Sequence, residues 1–215
     1  NTSAVRDLRA MFKGAVAANP EVSDWDVSRV LRLDYMFADA VSANPNVSKW
    51  DTGNVLSMRG MFSGAVSANP DVYSWDTSQV RTLAAMFEGA VNAKPRLMCW
   101  DVAKVVDMRR MFAGAAHAEL DMSKWNFAST VFMQDMLQGM SLTTANYDAL
   151  IARLVATAPQ QKISFNAGSS QYSCHAYAAR QQLVDRGWRI TDAGSLEQCP
   201  ADDEQSRDNG KDNDE

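Results

Sequence analysis

Residues 50–70 read WDTGNVLSMRGMFSGAVSANP, and this stretch decides the fold because it recurs along the chain. Tryptophan stands at positions 25, 50, 75, 100 and 125, so the period is 25 residues. A fixed period of this length is typical of repeat proteins, in which each unit buries its apolar face against its neighbours. The sequence therefore predicts five to six repeats over residues 1–140. Asn1 aligns with Asp26, so we expect the first unit to be truncated and the chain to be part of something longer.

The apolar residues between positions 30 and 41 predict a helix in each unit. Their offsets are 0, 3, 6, 7, 10 and 11, which follow one stripe of a helix. Asp26 and Ser28 offer the side-chain oxygens that cap a helix, and Asn44-Pro45 would end it. Asp39 occupies a slot that is glycine in most units, which leaves open whether the regular helix stops there.

Residues 47–52 predict a short strand, because apolar and polar side chains alternate there. Trp50 would point into the core, and Lys49 and Asp51 would point outward. Stacked units of this kind give an α/β solenoid with short parallel strands on one wall and helices on the other. Tryptophan, methionine, phenylalanine and valine would fill the space between the two walls.

The period is lost from position 141, where the pattern changes. Residues 146–156 and 177–184 favour helices, and residues 163–165 and 188–191 favour strands. We interpret residues 141–199 as a β/α C-terminal cap that covers the last unit. Residues 200–215 carry seven acids, two bases and no large apolar residue, so we expect a disordered acidic tail.

Charge and hydropathy limit the partners. The tail accounts for the whole net charge of −5, so the body is close to neutral, which argues against nucleic acid or an anionic membrane. No apolar run is long enough to span a bilayer.

The recurring motif Trp-Asp-Val/Thr-Ser-x-Val-x-x-Leu/Met-x-x-Met-Phe-x-Gly-Ala, as at residues 75–90, resembles the BspA-like, Mycoplasma-lipoprotein type of leucine-rich repeat. The C-terminal residues 146–150, 165–168 and 187–192 also resemble the usual ending of these proteins. One departure is the Ala-Asn-Pro-x-Val run, where the family commonly has Phe-Asn-x-Asp-Ile/Leu. The resemblance implies a leucine-rich-repeat-like fold in a secreted or surface-anchored protein used in adhesion or protein binding. It implies no catalytic residues and no cofactor.

The three cysteines allow one disulfide and leave one thiol over. In a secreted protein Cys174 and Cys199 would close a loop of about 25 residues, worth roughly 3 kcal/mol; the alternative is a pair of reduced thiols. Cys99 is left over and is expected to be an exposed free thiol. It would serve an intermolecular bridge or simply be tolerated.

Two outward columns are the candidate binding residues. The first repeats a carboxylate at about 5 Å spacing, which would suit calcium or another cation between neighbouring side chains. Alternatively, each carboxylate accepts backbone N–H bonds from the following turn and caps the next helix. The second is chemically mixed, as expected of a recognition surface or of neutral drift. The columns are Asp26, Asp51, Asp76, Asp101 and Asn126, and Asp24, Lys49, Ser74, Cys99 and Lys124.

These observations favour a non-catalytic module that binds a protein or glycan on a cell surface or in a matrix. The alternative is a structural block or spacer that self-associates in a surface assembly. An enzyme is disfavoured, because His117 and His175 are the only histidines. Of these, only His175 has a possible nucleophile, Cys174, beside it, and no orienting group is visible.

Overall fold

The computed structural model describes residues 2–199. Its regular elements in that range all lie in the C-terminal third. They are helix α1, Thr144–Thr157; strand β1, Ser164–Asn166; helix α2, Cys174–Asp185; and strand β2, Arg189–Thr191. The acidic tail expected at residues 200–215 lies outside the described residues.

The predicted fold class, an α/β leucine-rich-repeat-like solenoid with a β/α cap, is wrong. Residues 2–143 contain neither the predicted helix at 30–41 nor the predicted strand at 47–52. The backbone there consists of successive tight turns joined by single β-bridges. Two short helices and two three-residue strands, all after residue 143, are the only regular elements among the described residues.

The physical reason is the direction of the backbone hydrogen bonds. Within residues 33–40 the local bonds close four-residue β-turns, such as Met36 N–H to Leu33 O at 3.2 Å and Ala38 N–H to Tyr35 O at 3.1 Å. An α-helix needs bonds to the residue four positions back. Tyr35 and Asp39 adopt φ of 56° and 58°, and a left-handed residue inside each pair of turns excludes a continuous right-handed helix.

The alternate amides of the same stretch bond to the segment that follows 24 residues later. Leu33, Tyr35 and Phe37 donate to the carbonyls of Ser57, Arg59 and Met61 at 2.7 to 3.0 Å. The amides thus alternate in their partners: one donates to the carbonyl three residues back and closes a turn, and the next donates to the carbonyl of the following segment. A continuous set of parallel bridges results, which links Asp7, Arg32, Ser57, Thr82, Asp107 and Phe132.

The core lies behind these bridges, as the apolar pattern predicts. The rings of Phe12, Phe37, Phe62, Phe87 and Phe112 stack in sequence with centroids 5.4 to 5.8 Å apart. Trp75 stacks between the Trp residues 25 positions before and after it, at 6.2 and 6.3 Å. Trp50, Trp75 and Trp100 are each 3% exposed, so the inward orientation of tryptophan is confirmed although the strand is not.

Side-chain hydrogen bonds tie each segment to the next. Trp50 Nε1 donates to Val22 O at 3.0 Å, and the later tryptophans repeat this bond to carbonyls 28 residues back. Asn44 does not end a helix. Its backbone N–H donates to Asn19 Oδ1, and its own Oδ1 accepts from Asn69 N–H, both at 2.9 Å. The asparagine of the recurring Asn-Pro therefore ties one segment to the next, and the proline that follows is buried at Pro45 and Pro70.

The C-terminal segment contains the helices and strands predicted for it, with shifted ends. Thr143 and Ser173 cap α1 and α2 through their side-chain oxygens. Strand β1 pairs in parallel with β2, and Phe165 of β1 bridges to Met133. The ladder of bridges therefore continues into the C-terminal pair of strands.

Candidate functional site

The aspartate column lies on the surface, where each member closes a local turn. Asp26 Oδ1 accepts the backbone N–H of Ser28 at 3.0 Å and its hydroxyl at 2.6 Å. Such a carboxylate-to-amide bond two residues on satisfies the turn without a helix. The equivalent backbone bonds run from Gly53 to Asp51, Ser78 to Asp76, Ala103 to Asp101 and Ala128 to Asn126, at 2.9 to 3.2 Å.

These bonds set the electrostatics of the column. The pKa of Asp26 is lowered, first by the Ser28 hydroxyl and then by the Ser28 amide. The pKa of Asp76 is also lowered, mainly by the amide and then by the hydroxyl of Ser78. Donors that favour the charged form keep these side chains ionised at neutral pH.

The calcium hypothesis meets a geometric limit. A methyl group placed on Gly53 would lie 3.3 Å from Asp76 Oδ2 and 3.4 Å from Asp51 Oδ1, so these two carboxylates border the same small space. Within residues 2–199, however, no group of three or more histidine, cysteine or acidic side chains gathers where it could hold a metal ion. Calcium prefers six to eight oxygen ligands, and the carboxylates of this column are already engaged by turn amides.

The mixed column is exposed along its length at Asp24, Lys49, Ser74, Cys99 and Lys124. Ser74 donates its hydroxyl to Ser48 O at 2.9 Å. Cys99 is a free, exposed thiol.

A shallow cavity of about 260 Å³ lies beside Cys99, lined by Tyr73, Lys94, Arg96 and Met98 among others. The guanidinium of Arg96 lies 4.6 Å from the centre of the Tyr73 ring. A hydrogen bond with Cys99 raises the pKa of the Tyr73 phenol. The cavity thus combines cations, an aromatic ring and the carboxylates of Glu119 and Asp121, while the Cys99 thiol contacts Tyr73 from outside its lining.

A buried polar network holds the C-terminal segment together. Tyr147 of α1 donates its hydroxyl to Asp192 just after β2, and Arg180 of α2 forms two further bonds to the same carboxylate. Cys174 and Cys199 form a disulfide whose Cα atoms are 5.3 Å apart. This disulfide removes Cys174 as a nucleophile beside His175. Both histidines are exposed.

A second exposed surface escaped the sequence analysis. It lies along the bridged residues and displays Leu31 and Leu56 at 38% and 41% exposure, with arginines around them. Summing the charge of the whole body concealed it, because the acids of the body, including Asp7 and Asp107 among the bridged residues, cancel these arginines. The signal that would have found it is the recurrence of arginine at positions 6, 9, 29, 32, 59, 81, 109 and 110.

These features define a turn-built, bridge-linked chain with a disulfide-closed C-terminal segment and exposed side-chain columns. Two overlapping stretches, residues 1–98 and 69–167, match the family described as Mycoplasma protein of unknown function, DUF285. The chain belongs to this family, because the matches together cover most of its length. No curated protein and no solved structure matches the chain. The Mycoplasma part of the resemblance is confirmed, whereas its leucine-rich-repeat part has no support.

The described residues contain no helix with the length and apolar character needed to cross a membrane.

Proposed function

We propose that the chain is a non-catalytic interaction module of a surface protein, which binds a protein or glycan on a cell surface or in an extracellular matrix. The observation that carries the proposal is the contrast between the buried columns and the exposed column that starts at Asp24. Buried columns repeat one chemistry, as in the phenylalanine stack, whereas the exposed column at Asp24 changes chemistry at every step. A fixed frame with variable outward side chains is the arrangement that recognition requires.

The disulfide supports an extracellular location. Disulfides persist in oxidising compartments and are rare in the reducing cytosol. Cys174 and Cys199 are paired, and Cys199 is 1% exposed. The protected bond stabilises the segment under the conditions that a secreted or surface-anchored chain meets.

A three-residue variant tests the proposal. Asp51→Ala, Asp76→Ala and Lys124→Ala together remove charge from both exposed columns without touching the core. The full chain is probed on an array of immobilised matrix proteins and glycans. We expect wild type to bind at least one of them and the variant to bind it at least about tenfold more weakly, because rim and core charges at an interface contribute this much.

The matched control changes Ser42, Ser67 and Asn92 to alanine. These side chains are exposed on a different turn of the same segments. The control is expected to bind like wild type, and circular dichroism checks that all three proteins are folded. Equal binding by wild type and the charge variant, or no binding to any probe by wild type, would rule out these columns as the binding surface.

The second candidate function is a structural block in a surface assembly, which the exposed Cys99 thiol favours. Oxidation would then give disulfide-linked dimers on non-reducing gels, and Cys99→Ser would abolish them. A monomer at every concentration, oxidised or reduced, would exclude this candidate.

A further inference from the structure

The two exposed leucines occupy neighbouring positions on the bridged surface. Leu31 N–H donates to Arg6 O, Leu56 N–H to Leu31 O, and Arg81 N–H to Leu56 O, each at 2.9 Å. Hydrogen bonds between successive segments space these residues by about 4.8 Å, so Arg6 and Arg81 are roughly 14 Å apart. Two leucines therefore lie side by side with an arginine at each end.

Two more arginines flank the leucines along the chain. Arg32 follows Leu31 directly, and Arg59 lies three residues after Leu56. We name the set the arginine–leucine patch; its members are Arg6, Leu31, Arg32, Leu56, Arg59 and Arg81. All six are exposed.

The cations of the patch have no anionic partner within 4.0 Å in residues 2–199. Other arginines of the same surface do: Arg9 pairs with Asp7 at 2.7 Å, and Arg110 pairs with Glu88 at 2.5 Å. Two acids border the patch. Asp7 follows Arg6 and bridges to Arg32, but its carboxylate is paired with Arg9. Asp34 is engaged by the hydroxyl of Ser57 and the backbone N–H of Arg59. The patch is thus a local excess of positive charge on a body of near-zero net charge.

The guanidinium and leucine side chains of the patch indicate the chemistry of its partner. An exposed guanidinium presents a planar fork of donors that fits a carboxylate bidentately. Leucines at 38% and 41% exposure gain from burial only against apolar groups. We propose that the arginine–leucine patch binds an acidic protein segment that also carries apolar side chains.

A protein segment fits better than a nucleic acid. A phosphate backbone would engage the four arginines but would leave both leucines without apolar contact. Affinity for a nucleic acid also grows with the number of phosphates that are neutralised, and four cations along about 14 Å neutralise only a few. The patch is separate from the Asp24 and Asp26 columns, so its failure as a binding site would leave the function proposed above untouched.

The test uses the full chain and labelled synthetic peptides in fluorescence anisotropy. The main probe is a twelve-residue peptide of alternating glutamate and leucine, which is longer than the patch whether it is extended or helical. The second probe is a peptide with the sequence of residues 200–215, which has seven acids and no large apolar residue. We expect the glutamate–leucine peptide to bind at least about tenfold more tightly, because only it supplies apolar contact.

Two pairs of variants locate the site. Leu31→Ser with Leu56→Ser, and Arg32→Gln with Arg59→Gln, are each expected to weaken the main probe about tenfold. The apolar control is Val41→Ser with Val66→Ser, since these valines are 38% and 37% exposed on another turn. The charge control is Lys94→Gln with Arg96→Gln, two exposed cations at the Tyr73 corner. Both controls are expected to bind like wild type.

Three results would overturn the proposal. The first is no binding of the main probe. The second is equal binding of both peptides, with no loss in the leucine variant, because the patch would then be a nonspecific cation cluster. The third is tighter binding of a single-stranded oligonucleotide or a sulfated polysaccharide than of the main probe, which would assign the patch to a different polyanion.

Discussion

The phenolic oxygen of Tyr147 lies 2.6 Å from Oδ2 of Asp192, across the interface between helix α1 and the end of strand β2. The Asp192 side chain is only 3% exposed, and Arg180 holds the same carboxylate through Nε at 2.8 Å and Nη2 at 3.1 Å. Burial and the bond to Asp192 raise the pKa of Tyr147 well above its usual value of 10.0, so the phenol remains a donor. One carboxylate therefore joins three elements of the C-terminal segment.

The first prediction concerns Arg180→Gln, which leaves the buried Asp192 charge without its cation. Removing one partner of a buried pair costs about 3 kcal/mol or more, because the remaining charge stays desolvated. We expect urea unfolding to show this loss in the free energy of unfolding. Arg189→Gln is the control: this arginine is exposed on β2 and should change stability by less than about 0.5 kcal/mol. Equal losses in the two variants would show that the Arg180–Asp192 pair does not stabilise the fold more than an exposed arginine does.

The second prediction compares two tryptophans. Trp75→Phe removes an indole N–H bond to Val47 O at 3.0 Å and part of a ring stacked on both faces, at a cost of about 2–4 kcal/mol. Trp25 is only half-buried and has Phe12 as its aromatic neighbour at 5.9 Å, so Trp25→Phe should cost clearly less. Thermal melts of the two variants measure the difference. A larger loss for Trp25 would contradict the assignment of the core.

The third prediction uses the left-handed glycines. Gly64 and Gly89 have φ of 67° and 66°, and alanine at either position is strained by about 1 kcal/mol or more. An alanine methyl at Gly64 would also lie 2.5 Å from Asp39 Oδ1, whereas at Gly89 the nearest atom is 3.8 Å away. We expect Gly64→Ala to lower the melting temperature more than Gly89→Ala. Adding Asp39→Gly should remove the excess; its persistence would mean that the contact is not the cause.

The left-handed positions within each segment also explain why the predicted fold class was wrong. A succession of tight turns places apolar side chains at intervals of three and four residues, as a helix does, so the spacing from Val30 to Val41 cannot separate the two. What separates the two backbones is the left-handed conformation of Tyr35 and Asp39. Tyrosine, unlike glycine, gives no sequence signal for that conformation. The buried tryptophans were predictable, because burial follows from residue type and spacing in either backbone.

The candidate surfaces were predictable to different degrees. Asp26 and Ser28 predict a helix cap; the carboxylate-to-amide bond is present, but it closes a turn, and no helix follows within residues 2–143. The arginine–leucine patch depends on which segments are neighbours through bridges 25 residues apart. The positive charge of the patch does not show in the net charge of the body, which is close to zero. Leu31 and Leu56 are apolar, so sequence alone does not distinguish them from core residues.

The fourth prediction concerns the disulfide. Cys174 and Cys199 are separated by 25 residues, and closing such a loop stabilises the fold by about 3–4 kcal/mol in the chain-entropy model. Cys174→Ser with Cys199→Ser should lower stability by this amount, and a reductant should destabilise wild type but not the double variant. Cys99→Ser is the control, because its exposed thiol is unbonded to sulfur. If the reductant acts equally on wild type and the double variant, the disulfide does not contribute as expected.

The fifth prediction concerns pH and the turn at Asp26. The Ser28 hydroxyl is the main cause of the lowered pKa of Asp26, followed by the Ser28 amide. A folded-state pKa below the ordinary 3.8 means that the turn's stabilisation is fully present above that value. It is lost as pH falls through the folded-state pKa. Ser28→Ala keeps the amide bond at 3.0 Å but deletes the hydroxyl bond at 2.6 Å, so the Asp26 pKa should rise toward 3.8.

Carboxyl-carbon NMR titration from about pH 2 to pH 6 resolves this shift residue by residue. Asp121 is the internal control in the same sample: its pKa is lowered by Ser123 in the same way and should not move in the Ser28→Ala variant. A rise at both aspartates would indicate a general loosening of the fold. An unchanged Asp26 pKa would show that the amide alone holds the charge, and the hydroxyl bond would then have no electrostatic role.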